Sequence, residues 1–531
     1  MKLITRILSQ PYLYIVIVLI GVSLKFYKLE QQFFWDDEIC TVLHASGTPM
    51  ADYEKAIPVN EVISKKYFDD LLKLNSRDLS IPDQVLGLSK MPQLTPGHYY
   101  YFIFMDRIFG DGYKTYRYFS VIVFLLSVLF LFLLTQKLFN SNLTAWIVIS
   151  LYVLSPAFQV YAQEARYYSL WMLAITAMHY LFIVVAEKES LKWWLLYIVV
   201  GFLAVHTTIL FYISLTVQFI YAFLYYPKIR KALVVSQLLI FLSSVPWLIY
   251  IFINREDISS NLAWHSIGDW ASLNVFDLLN IHLNNFMFTF FNPVFTDGHH
   301  LLVIVGMWIF RLLILSGIVF FFIKATSKQR WFIGLMAFAG VIALIGLDLI
   351  RSSGASNMER YTLMNSLGLL VIIGFAFRKA LKSVPLITGI VLLFVFSVEF
   401  MHSFKAANDI SFGKRNDAYY HVEDAEEKFS GDENILIISD FELIFPKWYT
   451  MFMSLMLRSN NENIDVIYAK PEYPNFKTDY ALDNYDIVYG MYLSDSLKHH
   501  LQQDFLPEQF VLSEKRILYD YLDISVYQIN K

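Results

Sequence analysis

Charge is scarce in this chain. Of 531 residues only 17% are Asp, Glu, Lys or Arg, against about 25% in soluble domains. With 56% hydrophobic residues and a mean hydropathy of +0.47, that deficit excludes an ordinary soluble globular protein. Cysteine is nearly absent: Cys40 stands alone, so no intrachain disulfide can form and sulfur says nothing about compartment. There is no block of Lys and Arg suited to a nucleic-acid partner. The net charge of −4 argues neither for nor against an acidic partner. His299-His300 has no companion at metal-ligand spacing, so no metal site and no cofactor are expected. Internal repeats and low-complexity tracts are also missing.

What is plentiful is apolar sequence. About eleven runs each approach the ~20 residues needed to cross hydrocarbon. They fall at 11–29, 117–136, 142–160, 167–186, 192–206, 207–226, 232–252, 301–323, 331–350, 361–377 and 384–402. The fold class expected is an α-helical polytopic membrane protein. Aromatic residues make up 17%, with 35 Tyr and 46 Phe. They suit interface belts and a groove for a long apolar or sugar-bearing ligand. The segment 97–109 is apolar too, but at ~1.5 Å per residue it reaches only about 20 Å. It is expected to lie at the membrane surface as a juxtamembrane helix. The start of the chain, Met1 to Arg6 and then an apolar run from Pro11, resembles a signal sequence. Lys25-Phe26-Tyr27-Lys28 follows without a small-residue cleavage site, so a retained first span is expected.

Charge bias tests that topology. With 97–109 left out of the spans, one set of short loops holds Lys2/Arg6, Lys137, Lys188/Lys192, Lys228/Arg230/Lys231, Lys324/Lys328/Arg330 and Arg378/Lys379/Lys382. Short basic loops are cytoplasmic. Counting 97–109 as a span would move all but the first of them outside. The outer side then receives the long loop 30–115, the short loop 161–166, a second long loop 253–300, the turn 351–360 and the tail from about 405. The division expected is a membrane domain over 1–404 and an extracytoplasmic domain over 405–531. In that tail charge rises. The runs 434–440, 464–468 and 486–489 read as buried strands, with a helical stretch over 442–458 between the first two. Strand–helix–strand order implies a small α/β domain. The 50–90 region is polar and helical in pattern, an insertion in the first outer loop.

Polar groups at the outer boundary are the candidate site. The cluster Phe33-Phe34-Trp35-Asp36-Asp37-Glu38 follows the first span almost at once. Acids this close to a bilayer are costly unless solvated, paired or used. If the chemistry is glycosyl transfer, a carboxylate must accept the acceptor's hydroxyl proton. The plainer alternative is a solvated loop start. Arg166 lies in Gln163-Glu164-Ala165-Arg166-Tyr167-Tyr168 at the outer end of a span, and Arg360-Tyr361 and Arg117 stand at two others. The planar arginine fork suits phosphate. For Arg166 alone, the alternative is a snorkelling side chain paired with Glu164. Three arginines where positive charge is normally depleted favour an anionic ligand at the outer leaflet. His206, between two spans, reads as a packing or hinge residue rather than a ligand, and His98 is similar.

Together these residues resemble the GT-C membrane glycosyltransferases, in particular the bacterial branch akin to protein O-mannosyltransferases and lipid A aminoarabinose transferases. The landmarks, in order, are Asp37-Glu38 after the first span, and Leu94-Thr95-Pro96-Gly97-His98-Tyr99-Tyr100 leading into the juxtamembrane helix. Phe109-Gly110 with Arg117, and Ser155-Pro156 with Gln163 to Ser169, come next. Glu359-Arg360-Tyr361 resembles the family's late Arg-Tyr pair. The match spans about residues 10–400. Pro96-Gly97 departs from the family's usual two prolines, and Asp36 adds a third acid.

The resemblance implies a GT-C fold and an inverting transferase of the bacterial inner membrane with its site on the outer face. Its partners would be membrane lipid, a polyprenyl-phosphate-linked sugar donor and an extracytoplasmic acceptor. Asp37 would be the base, with Glu38 supporting it or binding the acceptor. Asp36, His98, Arg117, Arg166, Tyr167, Arg360 and Tyr361 would bind substrate, the lipid phosphate resting on Arg166 and Arg360. The competing class is a polytopic transporter or flippase of a lipid-linked or sugar substrate. That class tends to show paired halves or broken helices at mid-membrane, and neither is visible in the sequence.

Overall fold

A computed structural model of the chain describes residues 8, 10–46, 55, 57–71, 74, 80, 95–110, 112–255, 273–293, 300–351, 353–408, 431–444, 453, 456, 459, 461–491, 493–505, 510–518 and 522–529. Contacts divide the chain into two compact units. One holds Met1–Leu29, Met91–Tyr101 and Tyr116–Asp409; the other holds Glu30–Lys90, Phe102–Thr115 and Ile410–Lys531.

The first unit is helical, and its helices fall where the sequence puts spans. Among the described residues, seven are long and apolar enough to cross a membrane: Lys114–Phe139, Tyr168–Lys188, Pro227–Ile253, Leu301–Lys324, Ser327–Arg351, Glu359–Ser383 and Pro385–Asn408. The pair Asn142–Leu154 and Pro156–Gln163 passes the same test together but is bent by 65° at its junction, a broken span or a re-entrant loop where the sequence showed no broken helix. Shorter apolar helices at Pro11–Phe26, Leu191–Thr207 and Phe211–Tyr225 occupy the other expected positions. The fold is thus that of an α-helical polytopic membrane protein. The segment 97–109, expected as a short surface helix, forms a helix over Gly97–Phe109.

Local chemistry explains the bend and the close packing. Ser155 caps the second helix of the bent pair by accepting the Phe158 amide at 3.5 Å, and Pro156 takes the first helical position. A capping Ser followed by Pro is the sequence of a fresh helix start, so the first helix ends there. Helices Ser327–Arg351 and Leu363–Ser383 approach until their backbones touch: a Cβ on Gly368 would lie 2.7 Å from the Ala337 amide nitrogen. The Asn365 amide donates to the Ala337 carbonyl at 3.0 Å beside that contact. Small residues and a polar clamp are how helices pack where lipid competes for every apolar contact. The clamp matters because the connection between these two helices carries Glu359 and Arg360.

The second unit is built on a six-stranded sheet. Its strands are β1 (Val62–Ser64), β2 (Ile435–Asp440), β3 (Ile464–Ala469), β4 (Ile487–Gly490), β5 (Phe510–Leu518) and β6 (Leu522–Ile529). They lie in the order β1-β3-β2-β4-β6-β5. The three strands expected from the tail form its parallel centre, with Ile437 of β2 opposite Val466 on one side and Tyr489 on the other. Continuous apolar runs suit strands covered on both faces. Leu436, Ile438, Ile467, Val488, Leu497 and Leu501 are buried together on one of them.

Two parts of this sheet were not expected. The antiparallel hairpin β5–β6 closes one edge. At the other edge β1, from the first outer loop, pairs antiparallel with β3 through Ile63 opposite Val466. Lys65, just after β1, is buried and donates to Glu462 at 2.8 Å. The sequence division put 30–115 with the membrane domain; by its contacts, Glu30–Lys90 groups with the tail instead. The insertion read as helical holds strand β1 and a helix over Lys65–Leu71, and most of 72–90 lies outside the described residues. Of the helix expected over 442–458, Phe441–Ile444 is helical; most of the remainder lies outside the described residues.

Candidate functional site

The acid cluster, in the second unit, opens a short helix, Asp36–Ala45. Trp35 stands at its N-cap in extended conformation. Glu38 is fully buried, and its carboxylate accepts the Trp35 amide at 3.3 Å. This is the reach-back arm of a capping box, which satisfies a donor the helix cannot. Glu38 therefore has a structural task that fixes where the helix begins. Asp37, half-buried, precedes it in the first turn; its carbonyl accepts the Thr41 hydroxyl at 2.7 Å. Adjacent acids on one turn point apart, and here they differ in burial. The Asp36 side chain lies outside the described residues.

The arginines belong to the first unit. Arg117, in the first turn of its helix, is fully buried and donates to the Leu29 carbonyl at 3.1 Å. That bond ties the helix to the end of the first span. Arg166 lies between helices Pro156–Gln163 and Tyr168–Lys188, 8% exposed. Its guanidinium carbon sits 5.5 Å from the Tyr167 ring centre and 5.9 Å from that of Tyr168. Two aromatic faces hold the cation in place. Arg360 lies similarly 5.9 Å from the Tyr361 ring.

Tyr161 links the two segments, and nothing in the sequence singled it out. Its ring meets Tyr168 edge to face at 4.9 Å, and its hydroxyl donates to the Glu359 carboxylate at 2.7 Å. One side chain thus touches the neighbours of both Arg166 and Arg360. The helix bearing Tyr161 is itself pinned to the first span. Gln159 donates to the Leu24 carbonyl at 3.0 Å, and Gln163 to Lys25 at 3.0 Å and Tyr27 at 3.2 Å. A helix end leaves its last carbonyls without intrahelical donors. Two glutamines one turn apart supply them, a signal the i, i+4 spacing carries.

The turn before Glu359 is held from two sides. Asp348 accepts the Ser353 hydroxyl at 2.6 Å, the Ala355 amide at 3.0 Å and the Ser356 amide at 2.9 Å. From helix Val275–Phe288, Asn285 donates to the Ser356 carbonyl at 2.8 Å, and His282 Nε2 pairs with the Ser356 hydroxyl at 3.0 Å. Burial pushes the His282 imidazole down to about 4, against the upward pull of the Asp348 charge. A neutral ring suits the hydroxyl beside it.

Two histidines of the sequence reading are placed. Gly97 meets the backbone of His206: a Cβ on Gly97 would lie 2.4 Å from the His206 carbonyl oxygen. His206 is a packing residue here, its ring 4.7 Å from Phe202. That contact also accounts for the glycine where the family has a second proline, since any side chain would strike the backbone. His98 begins the helix beside it, and its side chain lies outside the described residues, as do His299 and the side chain of His300. Among the described residues, no group of three or more His, Cys, Asp or Glu is placed to hold a metal ion.

These features define a polytopic α-helical membrane fold, with arginines on aromatic supports in the first unit and, in the second, an acid pair opening a helix. The family model of dolichyl-phosphate-mannose-protein mannosyltransferases matches residues 92–250, from the approach to the juxtamembrane helix through Arg166. In overall structure the chain is similar to ArnT from Cupriavidus metallidurans in the apo state, with a TM-score of 0.50, 11% identity and 97% of each chain covered. The same protein bound to undecaprenyl phosphate matches with a TM-score of 0.46 and 12% identity, again over 97% of each chain. The oligosaccharyltransferase of Archaeoglobus fulgidus in complex with Zn and sulfate matches with a TM-score of 0.45 and 13% identity. That match covers 90% of this chain and 67% of the other. No curated protein matches the chain in sequence. Fold and local sequence agree that the chain resembles the GT-C membrane glycosyltransferases.

Proposed function

We propose that this protein moves a sugar from a polyprenyl-phosphate donor to a hydroxyl of an extracytoplasmic acceptor, on the outer face of a bacterial inner membrane. The observation that carries this reading is Tyr161, which touches Tyr168 beside Arg166 and bonds Glu359 beside Arg360. The donor phosphodiester carries one negative charge and gains a second as polyprenyl phosphate leaves, and two arginine segments braced on one tyrosine suit that growing charge. The family match over 92–250 supports the donor class, since the enzymes it describes are named for a sugar on dolichyl phosphate.

In the reaction, Arg166 and Arg360 hold the donor phosphate, with Tyr167 and Tyr361 under the guanidinium groups. Asp37 accepts the proton as the acceptor oxygen bonds to the anomeric carbon. The bond from that carbon to the phosphate oxygen breaks, polyprenyl phosphate leaves, and the anomeric centre inverts. Positioning and charge stabilisation of the leaving phosphate supply most of the rate. Glu38 fixes the helix that presents Asp37, Asp36 and His98 contact the sugar or acceptor, and Arg117 anchors the end of the first span.

Sugar transfer from a synthetic polyprenyl-phosphate donor, followed with purified enzyme in lipid nanodiscs, tests the scheme. Asp37→Asn should lower kcat at least about 100-fold, the range of a lost general base, while donor affinity holds. Near wild-type turnover by that variant would remove Asp37 as the base.

A further inference from the structure

Every polar backbone and side-chain group of Ser356 is bonded, and the bonds lead to two helices of the first unit. Its amide is taken by Asp348 of helix Ser327–Arg351 at 2.9 Å. Its carbonyl is taken by Asn285 and its hydroxyl meets His282, both from helix Val275–Phe288. Ser356 itself is fully buried. The second Asp348 oxygen gathers the Ala355 amide and the Ser353 hydroxyl, so one carboxylate bonds three groups of the turn. Breaking any of the bonds to Ser356 strands a buried donor or acceptor, which holds the turn in place; within the network only His282 Nδ1 lacks a partner among the described residues.

The turn so fixed leads directly into Arg360. The Met358 amide bonds the Ala355 carbonyl at 3.1 Å, and the Tyr361 amide bonds the Met358 carbonyl at 3.0 Å. The chain from Ser356 to Tyr361 therefore winds through consecutive hydrogen-bonded turns, without free length to absorb a displacement. At the far end Glu359 is held by Tyr161. None of Asp348, His282 or Asn285 belongs to the acid or arginine motifs, and a carboxylate near the end of an apolar helix is costly unless it has a use. Holding a turn is a structural use. Holding one that carries a cation which must meet a phosphate within a few tenths of an ångström is a functional one.

We propose that Asp348, His282 and Asn285 are positioning residues for Arg360: through Ser356 they set the place at which its guanidinium receives the donor phosphate. This rests on the reading of Arg360 as a phosphate ligand given above. Its chemistry also sets which changes matter. Asp348→Asn leaves one acceptor oxygen and turns an NH2 toward amides that need an acceptor. Ser356→Ala removes only the hydroxyl and leaves both backbone bonds in place.

The test is a double-mutant cycle on donor binding, using full-length protein in nanodiscs and a polyprenyl phosphate as probe, with melting temperature followed alongside. Arg360→Ala should weaken binding at least tenfold. Asp348→Asn and Ser356→Ala should weaken it several-fold in the wild-type background and have no further effect once Arg360 is gone. Residues that act through one another are non-additive in this way. Equal losses in both backgrounds would overturn the positioning role and leave the arginine assignment standing. An unchanged constant for Arg360→Ala would overturn both. Should Asp348→Asn fail to fold, Asn285→Ala, which removes the donor to the Ser356 carbonyl, and Ser356→Ala, which removes the hydroxyl that meets His282, decide together.

Discussion

The Tyr161 hydroxyl donates to the Glu359 carboxylate at 2.7 Å, across 198 residues of sequence. The bond joins the helix after the Ser155-Pro156 bend to the turn that carries Arg360, and the same ring packs edge to face on Tyr168 beside Arg166. It is charge-assisted, a class that contributes about 1.5–3 kcal/mol. Tyr161→Phe keeps the ring and its packing and removes only the donor. We expect this variant to fold, to retain the Tyr168 contact, and to bind polyprenyl phosphate roughly tenfold more weakly, since ~1.4 kcal/mol is a factor of ten. Isothermal titration against the wild type checks this, and equal affinities would show that Tyr161 braces nothing the ligand feels.

A second long-range relationship lies within the helices. Lys25, at the end of the first span, is fully buried and donates to Gln159 at 2.8 Å. Glu399, from helix Pro385–Asn408, is fully buried, its carboxylate oxygens have no hydrogen-bond partner among the described residues, and its charge acts on Lys25. When either of two buried, electrostatically coupled groups is removed, the one left behind keeps its desolvation cost and loses the attraction. Lys25→Met should therefore destabilise the fold, read as a fall in melting temperature in detergent. Lys25→Met with Glu399→Leu should recover most of that loss. A double variant as unstable as the single one would show that each group is held by other contacts than the pair.

How much of this was legible in the sequence follows from the length of the pattern each element needs. Spans announce themselves over some twenty residues, so each expected run has its helix, but the run 142–160 was read as one unbroken span and the bend at Ser155-Pro156 was not foreseen. The juxtamembrane segment 97–109 was found by being too short. The buried strands of the tail showed as apolar runs; β1, with three residues, is too short for a period, whereas β6 alternates over Leu522-Asp523-Ile524-Ser525-Val526, a half-buried strand pattern that was legible and missed. Arg166 and Arg360 stood out because positive charge is depleted on the outer side. Tyr161 and His282 did not, because their partners lie 198 and 74 residues away. No local pattern encodes a contact of that kind. Gly97 shows the reverse case: a departure from the family's proline became intelligible only when the backbone of His206 was found against it.

His282 gives the turn before Arg360 a dependence on pH. Its side chain is buried against Ser356, and burial lowers its titration from 6.5 to about 4, the Asp348 charge opposing that fall. The charged group that acts on it is Asp348 from helix Ser327–Arg351. The folded value is depressed, so between pH 6.5 and 4 the unfolded chain binds a proton that the folded one does not. Stability present at pH 7 is therefore lost as pH falls through that window. The loss is at most roughly 3 kcal/mol, because holding a proton off across one pH unit costs about 1.4 kcal/mol. Melting curves in detergent from pH 7.5 to 4.5 should show this decline in the wild type. In His282→Gln, which keeps a neutral group that can bond the Ser356 hydroxyl, the decline should be shallower by that amount. Parallel curves for the two proteins would mean that the imidazole takes up its proton in the folded state as readily as in water, and that the turn is more open than its hydrogen bonds imply.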